Sequence, residues 1–477
     1  MRTGTHDTSQ RSSALTWPVL IAALLALAVR IALVGLPLAA DEGGYLHAAA
    51  QWRPGTSTYG DHFVDRPPLL MALFALADAC GGTVALRVIG MLATLASILL
   101  ASRIGGTPAA VTAAVMLTMA SFEPFAINGE LLAVPFVLAS AWALLRALDA
   151  TRRTGVWAAA SGCAAACAFL VKQNVVDGFV LVVVLLGVVA WRGTQPERRA
   201  TGRLLAAGIA GALLTVLAVL ALAALAGTSP ADLWDAVVVF RLDAAHSMAN
   251  LPDAGADRRR VALAWTALLS AVPLVVAACL VRRPADPRQR ALRITALALL
   301  TWEIVAIVAG GGYWSHYLIG LTPGVVLLVA STRPVRLLRA ALAVALVAAV
   351  VQLVVVDHAP GRADDDAAVV THLRAHARAG DTLVVAFGHP NVLRDSGLTS
   401  PYEHLWVLPT RVRDPLLSEL TAVLTSPEAP DWLVVHGTSL AGLGLTHASA
   451  QRIVDRDYTL VATTGGWRIL HRRDLSG

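Results

Sequence analysis

The feature that most constrains this chain is a succession of apolar runs separated by short breaks rich in Gly, Pro and Arg. Several have the ~20 residues needed to cross ~30 Å of hydrocarbon. Hydropathy and breaker residues place them near 15–38, 84–103, 108–123, 130–148, 155–171, 175–191, 203–226, 261–281, 289–309, 314–331 and 335–356. The pattern predicts a mainly α, polytopic membrane helical bundle of about eleven spans. With 56% hydrophobic and 15% charged residues among 477, the chain is not an ordinary soluble protein. The first run is too long for a signal-peptide core and lacks a small-residue cleavage site, so it reads as a retained helix after the polar stretch Met1–Ser13.

The charges orient the spans. With the N-terminus cytoplasmic, alternate gaps carry Arg103; Arg146, Arg152 and Arg153; Arg192, Arg198, Arg199 and Arg203; Arg282, Arg283, Arg288, Arg290 and Arg293; and Arg333, Arg336 and Arg339. This is the positive-inside pattern, and the working expectation is a multi-pass protein of a bacterial plasma membrane. The triplet Arg258–Arg260, in the long outer loop 227–260, is the exception. The apolar stretch 67–81 is short for a span, and counting it as one would put the arginines outside. It reads as an interfacial helix. The net charge of +6 reflects these gaps, and no interleaving of Arg with aromatics points to nucleic acid.

From Asp357 onward the apolar runs shorten and helix-like and strand-like segments alternate. Helices are predicted over 367–379, 415–424 and 448–454, and strands over 381–387, 431–435, 458–462 and 467–470. This predicts a transmembrane domain over 1–356 and a small extracytoplasmic α/β domain over 357–477. The four cysteines, Cys80, Cys163, Cys167 and Cys279, lie in or beside apolar segments and read as small core residues, not as a disulfide framework or metal site. His389 and His404 read as surface histidines.

The chemistry gathers on the outer side. Asp41 and Glu42 are expected to end the first span on its outer side, at the start of a polar loop over 39–83. Asp65-Arg66 lies in that loop, Glu130 opens a span and Lys172 ends one. Of the 38 lysines and arginines, Lys172 is the sole lysine. Charges beside a membrane are costly and usually paired or functional. Carboxylates next to cations suit transfer from a phosphate-linked donor. A carboxylate takes the proton of an acceptor hydroxyl, and the cations hold the charge that builds on a departing phosphate. Glu303, inside a span, reads as a helix–helix hydrogen-bond partner. Asp177 and Glu123 mark interfaces. Trp17, Trp52, Trp302 and Trp314 fit aromatic belts, with Trp314 also a candidate ligand contact.

The order of these pieces resembles the C-type membrane glycosyltransferases, in the branch of the protein O-mannosyltransferases and the lipid A aminoarabinose transferase (glycosyltransferase family 39-like). The resemblance rests on Asp41, Glu42 and Tyr45, then Tyr59-Gly60-Asp61, then Asp65-Arg66-Pro67-Pro68, then Ala85-Leu86-Arg87. It continues through Glu130, Leu170-Val171-Lys172 and His316-Tyr317 up to Pro323. It implies transfer of a sugar from a polyprenyl-phosphate donor within the membrane lipid, at the outer leaflet. Asp41 would be the catalytic carboxylate. Arg66 and Lys172 would contact the lipid phosphate. Glu42, Tyr45, Tyr59, Asp65, Glu130, His316 and Tyr317 would line the substrate site. The family commonly has Glu-Lys-Pro where Asp65-Arg66-Pro67 stands, and Asp where Glu130 stands. The acceptor could be protein, lipid or polysaccharide. A divalent cation could sit on Asp41, Glu42 and Glu130, though two side-chain cations already neutralise the phosphate, so no metal site is assigned.

A transporter or flippase for an anionic lipid or lipid-linked sugar is the alternative. It predicts charges deep in the spans and on both faces. A non-catalytic envelope scaffold would be expected to have lost Asp41.

Overall fold

The computed structural model describes residues 16–473 except 251–253, 285, 334, 356–360 and 441–444. The polar N-terminal stretch and the expected domain boundary at 356/357 lie outside the described residues. The chain begins with α1 (Trp17–Ala32), α2 (Ala40–Ala50), α3 (Pro68–Ala79), α4 (Thr83–Thr118), α5 (Gly129–Asp149), α6 (Thr154–Val171), α7 (Asp177–Arg192) and α8 (Gln195–Leu225). Next come α9 (Pro230–Trp234), a π-helical turn (Asp235–Val239) and α10 (Phe240–Asn250). Then follow α11 (Ala254–Leu269), α12 (Val272–Leu280), α13 (Pro287–Gly310), a 3-10 segment (Ser315–Leu321), α14 (Thr322–Ala330) and α15 (Arg336–Val355).

Among the described residues, six helices (α4, α5, α6, α8, α13 and α15) are long and apolar enough to cross a membrane. The pair α11 and α12, bent by 59°, makes a seventh if counted as one span. The expected eleven apolar segments are all helical, but several are shorter than a full crossing. Spans two and three are the halves of α4, which break at Gly105 and Gly106, where Gly106 takes the left-handed φ of +68°. Most of α8 turns apolar side chains outward, among them Leu213, Leu214, Leu217 and Leu222. Such a face suits hydrocarbon, not water. Arg288 pairs with Asp149 at 2.7 Å, which brings two of the arginine-bearing gaps to one end of the bundle.

One expectation is corrected. Asp41 and Glu42 do not end the first span. Helix α1 stops at Ala32, and the pair lies in the first turn of α2. Pro37 cannot continue a helix, and carboxylates are favoured where the backbone N–H groups of a new helix point. The outer loop 227–260 is likewise largely helical. Its Arg259 donates to the Gly312 carbonyl at 2.8 Å and covers the Trp314 ring at 4.7 Å, which explains one member of the arginine triplet.

The C-terminal part contains α16 (Gly361–His376), β1 (Leu383–Ala386), α17 (Pro390–Ser396), α18 (Val407–Arg413) and α19 (Ser418–Thr425). It finishes with β2 (Trp432–His436), α20 (Ala448–Asp457), β3 (Tyr458–Thr464) and β4 (Trp467–Arg472). The four strands run in the order β1-β2-β4-β3, with β1 parallel to β2 and the other pairs antiparallel. Strand alternation sends Val384, Leu433 and Leu470 to one core, and Val385, Val434 and Ile469 to another.

This part sits on the α2 end of the bundle. A Cβ on Gly43 would strike Asn391, and one on Gly44 would strike the Trp406 indole. The glycine pair is therefore the landing place of α17 and of the chain before α18. Arg394 pairs with Asp78 of α3, and Arg413 with Asp235 at 2.6 Å.

Beneath α2 lies a buried ion pair between Glu42 and Arg87, with side-chain exposures of 1% and 4%. Glu42 also accepts from the Ile127 and Ala39 amides, at 2.6 and 2.9 Å. Arg87 donates to the Phe125 carbonyl and to those of Leu36 and Pro37, at 3.4 and 3.3 Å. Removing one member leaves the other charged and buried. Glu42→Ala is expected to cost about 3–5 kcal/mol, read as a lowered unfolding midpoint of the detergent-purified protein.

Candidate functional site

Two charged centres, built from segments distant in the chain, converge above α2. The first is the loop between α2 and α3, which carries Asp65 and Arg66. Their side chains pair at 2.7 Å, and Arg241 of α10 pairs with the other Asp65 oxygen at 2.5 Å. The Tyr59 hydroxyl donates to the Arg66 carbonyl at 2.7 Å, and Gln173 donates to the Asp65 carbonyl at 2.8 Å. The Arg66 guanidinium covers the Tyr45 ring at 5.6 Å. That ring packs edge-on against Phe74 and tilted against Trp406, each at 5.3 Å.

The second centre is Lys172, which caps the C-terminus of α6 and pairs with Glu130. Asn128 fixes where α5 begins by accepting from the Leu131 amide at 2.9 Å, and this puts Glu130 in the first turn. Lys172 lies over the Tyr317 ring at 4.8 Å. His316, edge-on to Tyr317, contacts Glu123 through Nδ1 at 3.0 Å.

The two centres form one electrostatic group. Arg66 lies within reach of Asp41 and Tyr317, and Lys172 within reach of both Arg66 and Arg241. Asp41 sits at the edge of this group, where its Oδ1 accepts from the Trp406 indole N–H at 3.0 Å. Burial would raise the Asp65 carboxyl, but Arg241 and Arg66 outweigh it and hold the group below the usual carboxylate range. Asp65 is therefore a permanent anion that gathers two cations.

Accessibility sorts the expected residues and Arg241, which was not among them. Arg241, Arg66, His316 and Lys172 keep 34%, 18%, 17% and 12% of their side chains exposed, so each can meet a ligand. Tyr59 has no exposed surface and acts on Arg66 from behind. Tyr45 is buried under Arg66. Glu42 faces away from the group, into its pair with Arg87. Asp41, Asp65, Arg66, Glu130, Lys172, His316 and Tyr317 are brought together.

Sequence reasoning missed Arg241, Trp406 and Gln173. Arg241 lies in a long loop with no pattern to mark it, and Trp406 lies about 360 residues from its partner. It also missed Arg30, buried within α1, which donates to the Leu117 carbonyl at 3.1 Å and to that of Pro124. Asp177 and Glu303, read as an interface marker and a helix–helix partner, are both buried. Glu303 lies within electrostatic reach of Asp177, Glu130 and Lys172. His404, expected at the surface, is 3% exposed, because the segment before α18 folds down onto the first loop. Cys80 is exposed, so it is not a core residue.

No protein-family model and no curated protein matches the chain. Solved structures do. The chain superposes on ArnT from Cupriavidus metallidurans, solved bound to undecaprenyl phosphate, with a TM-score of 0.59, 13% identity, and 97% of this chain and 99% of that one covered. It has the C-type membrane glycosyltransferase fold. The apo oligosaccharyltransferase of Archaeoglobus fulgidus matches at TM-score 0.52 and 12% identity, over 96% of this chain and 74% of that one. The arabinofuranosyltransferase AftD from Mycobacteria matches at 0.51 and 14%, over 96% of this chain and 40% of that one. At such identities the likeness is one of backbone architecture, spread over nearly all of this chain.

Two buried histidines behind the site give a pH dependence. Burial lowers His62 to about 4 and His47 to about 3, and their rings lie 5.2 Å apart. The unfolded imidazoles bind protons below about pH 6.5, so between there and pH 4 the unfolded chain carries more protons. Stability is then complete above that range and falls as pH drops through it. The unfolding midpoint is expected to fall between pH 7.5 and pH 5, and less so in the double variant His47→Gln/His62→Gln.

Proposed function

We propose that this protein transfers a sugar from a polyprenyl-phosphate-linked donor to an acceptor hydroxyl at the outer face of the plasma membrane. The observation that carries this reading is that Arg66 lies within reach of Asp41 and Lys172, and Lys172 within reach of Arg241, with all three cations partly exposed. A fold shared with an enzyme solved with undecaprenyl phosphate supports a donor of that class.

In this reading Asp41 is the base. Trp406 occupies Oδ1 and fixes the carboxylate, leaving Oδ2 to accept the proton of the acceptor hydroxyl. As the acceptor oxygen bonds to the anomeric carbon, the bond from that carbon to the phosphate oxygen breaks. The polyprenyl phosphate departs with the electron pair. Arg66, Lys172 and Arg241 hold the charge that builds there. Glu130 keeps Lys172 protonated and aimed, and Asp65 does the same for the two arginines. Both substrates are held in place, which supplies much of the acceleration. His316 and Tyr317 flank the donor cavity, and the C-terminal part caps the acceptor side through Trp406. The membrane part ends near 356 and the C-terminal domain, 357–477, lies outside the cytoplasm.

The transporter or flippase reading predicts charges deep in the spans and on both faces. The buried acid Glu303 lies within reach of Asp177, Glu130 and Lys172, beside the proposed phosphate site.

Asp41→Asn is expected to lower transfer about 10²–10⁴-fold while leaving the unfolding midpoint unchanged. The assay follows label from polyprenyl-phosphate sugars into membrane acceptors, and near-normal turnover would remove Asp41 as base. Lys172→Met is expected mainly to raise the donor KM, and an unchanged donor KM would take Lys172 off the phosphate.

A further inference from the structure

The strap before α18 and the first turn of α19 together hold a second cluster of ligand-type side chains that the transfer reading does not use. Glu403, His404 and Glu419 each offer one donor atom, and these atoms all lie within 4.8 Å of one another. His404 is 3% exposed, yet neither ring nitrogen has a hydrogen-bond partner among the described residues. Native interiors rarely leave such a group unmatched. Its Nε2 stands 2.9 Å from Glu419 Oε2, without the direction a hydrogen bond needs.

The surroundings favour a cation. Asp414 adds a third negative charge nearby, but is itself committed to the Tyr402 hydroxyl and to the Glu419 and Leu420 amides. Arg413, the cation in reach of His404, is occupied by Asp235 at 2.6 Å and Asp243 at 3.5 Å. With neither ring nitrogen engaged, the imidazole has a lone pair to offer a metal beside the two carboxylates. The Ser57 hydroxyl donates to Glu403 Oε1 at 2.6 Å, which leaves Oε2 free to bind.

We propose that Glu403, His404 and Glu419 bind one divalent transition-metal ion, zinc by the character of the donors, as a structural clamp that ties the strap before α18 to α19 within the C-terminal part, where Glu403 also holds Ser57 of the first loop. One imidazole nitrogen and two carboxylate oxygens, with water in the fourth position, make a tetrahedral set with donors about 3.4 Å apart. The side chain of Glu419, 50% exposed, is free to make the small movement this needs.

The clamp would act on the loop after α2 and, through Trp406, on the proposed base. The Glu403 carbonyl accepts from the Phe63 amide at 3.2 Å, and its carboxylate holds Ser57. Two residues beyond His404, Trp406 holds Asp41. A metal at this point fixes the strap from which Trp406 projects. The site stands independently of the sugar-transfer reading, and its test does not use activity.

The full chain is purified in detergent, stripped with a chelator, given zinc alone, desalted and analysed for metal content and unfolding midpoint. The wild type is expected to retain about one zinc per chain and to unfold at a higher temperature with zinc than without. His404→Gln and Glu419→Gln are each expected to weaken binding by about tenfold or more, since a lost ligand costs at least what a lost outer-shell partner does. Glu419 is half exposed, so its variant remains readable if the His404 variant does not fold. Equal zinc retention by wild type and Glu419→Gln, or a midpoint that zinc does not move, overturns the proposal.

Discussion

The buried pair of Glu42 and Arg87 is the constraint on which the site depends. Two opposite charges removed from solvent must find nearly every partner they can, or their desolvation goes uncompensated. Here those partners are the carbonyls of Leu36, Pro37 and Phe125 and the amides of Ala39 and Ile127. The requirement locks together the end of α1, the start of α2, the entry of α4 and the loop before α5. Helix α2 therefore has one position, and Asp41, one residue before Glu42, is aimed by a neighbour that is not itself in contact with the ligand-accessible patch.

The site above it is a controlled electrostatic conflict. Arg66, Arg241 and Lys172 repel one another, and without counter-charges their proximity would oppose folding. Asp65 offsets two of them and Glu130 the third. The arrangement leaves positive charge partly exposed while the acids lie deeper. An anionic ligand would complete it. The same logic explains the buried tyrosines. Tyr59 restrains the Arg66 backbone and Tyr45 offers its ring to the guanidinium, so the cation is held from below and open from above.

The C-terminal part belongs to this construction. Gly43 and Gly44 remove the side chains that would keep it off α2, and Trp406 reaches Asp41 from the far end of the chain. Ion pairs of Arg394 with Asp78 and of Arg413 with Asp235 fasten it on two sides. The carboxylate proposed as base is thus shared between the membrane bundle and the small sheet.

Sequence alone determined the helical bundle, the alternation of basic gaps, the C-terminal strands to within a few residues, and the set Asp41, Asp65, Arg66, Glu130, Lys172, His316 and Tyr317. These were legible because hydropathy period, charge beside a span and strand alternation are local properties, and because the order of the motif pieces resembles a known family. Span lengths were less legible, since an apolar run does not reveal where Gly106 breaks a helix or where Pro37 ends one early. Tertiary structure decided the division of labour. It turned Glu42 inward and Asp41 outward, although the two are adjacent in sequence and chemically alike. It also brought in Arg241, Gln173 and Trp406, and buried His404. The physical reason is that burial and pairing are set by packing between distant segments, and no window along the chain contains both partners of those contacts.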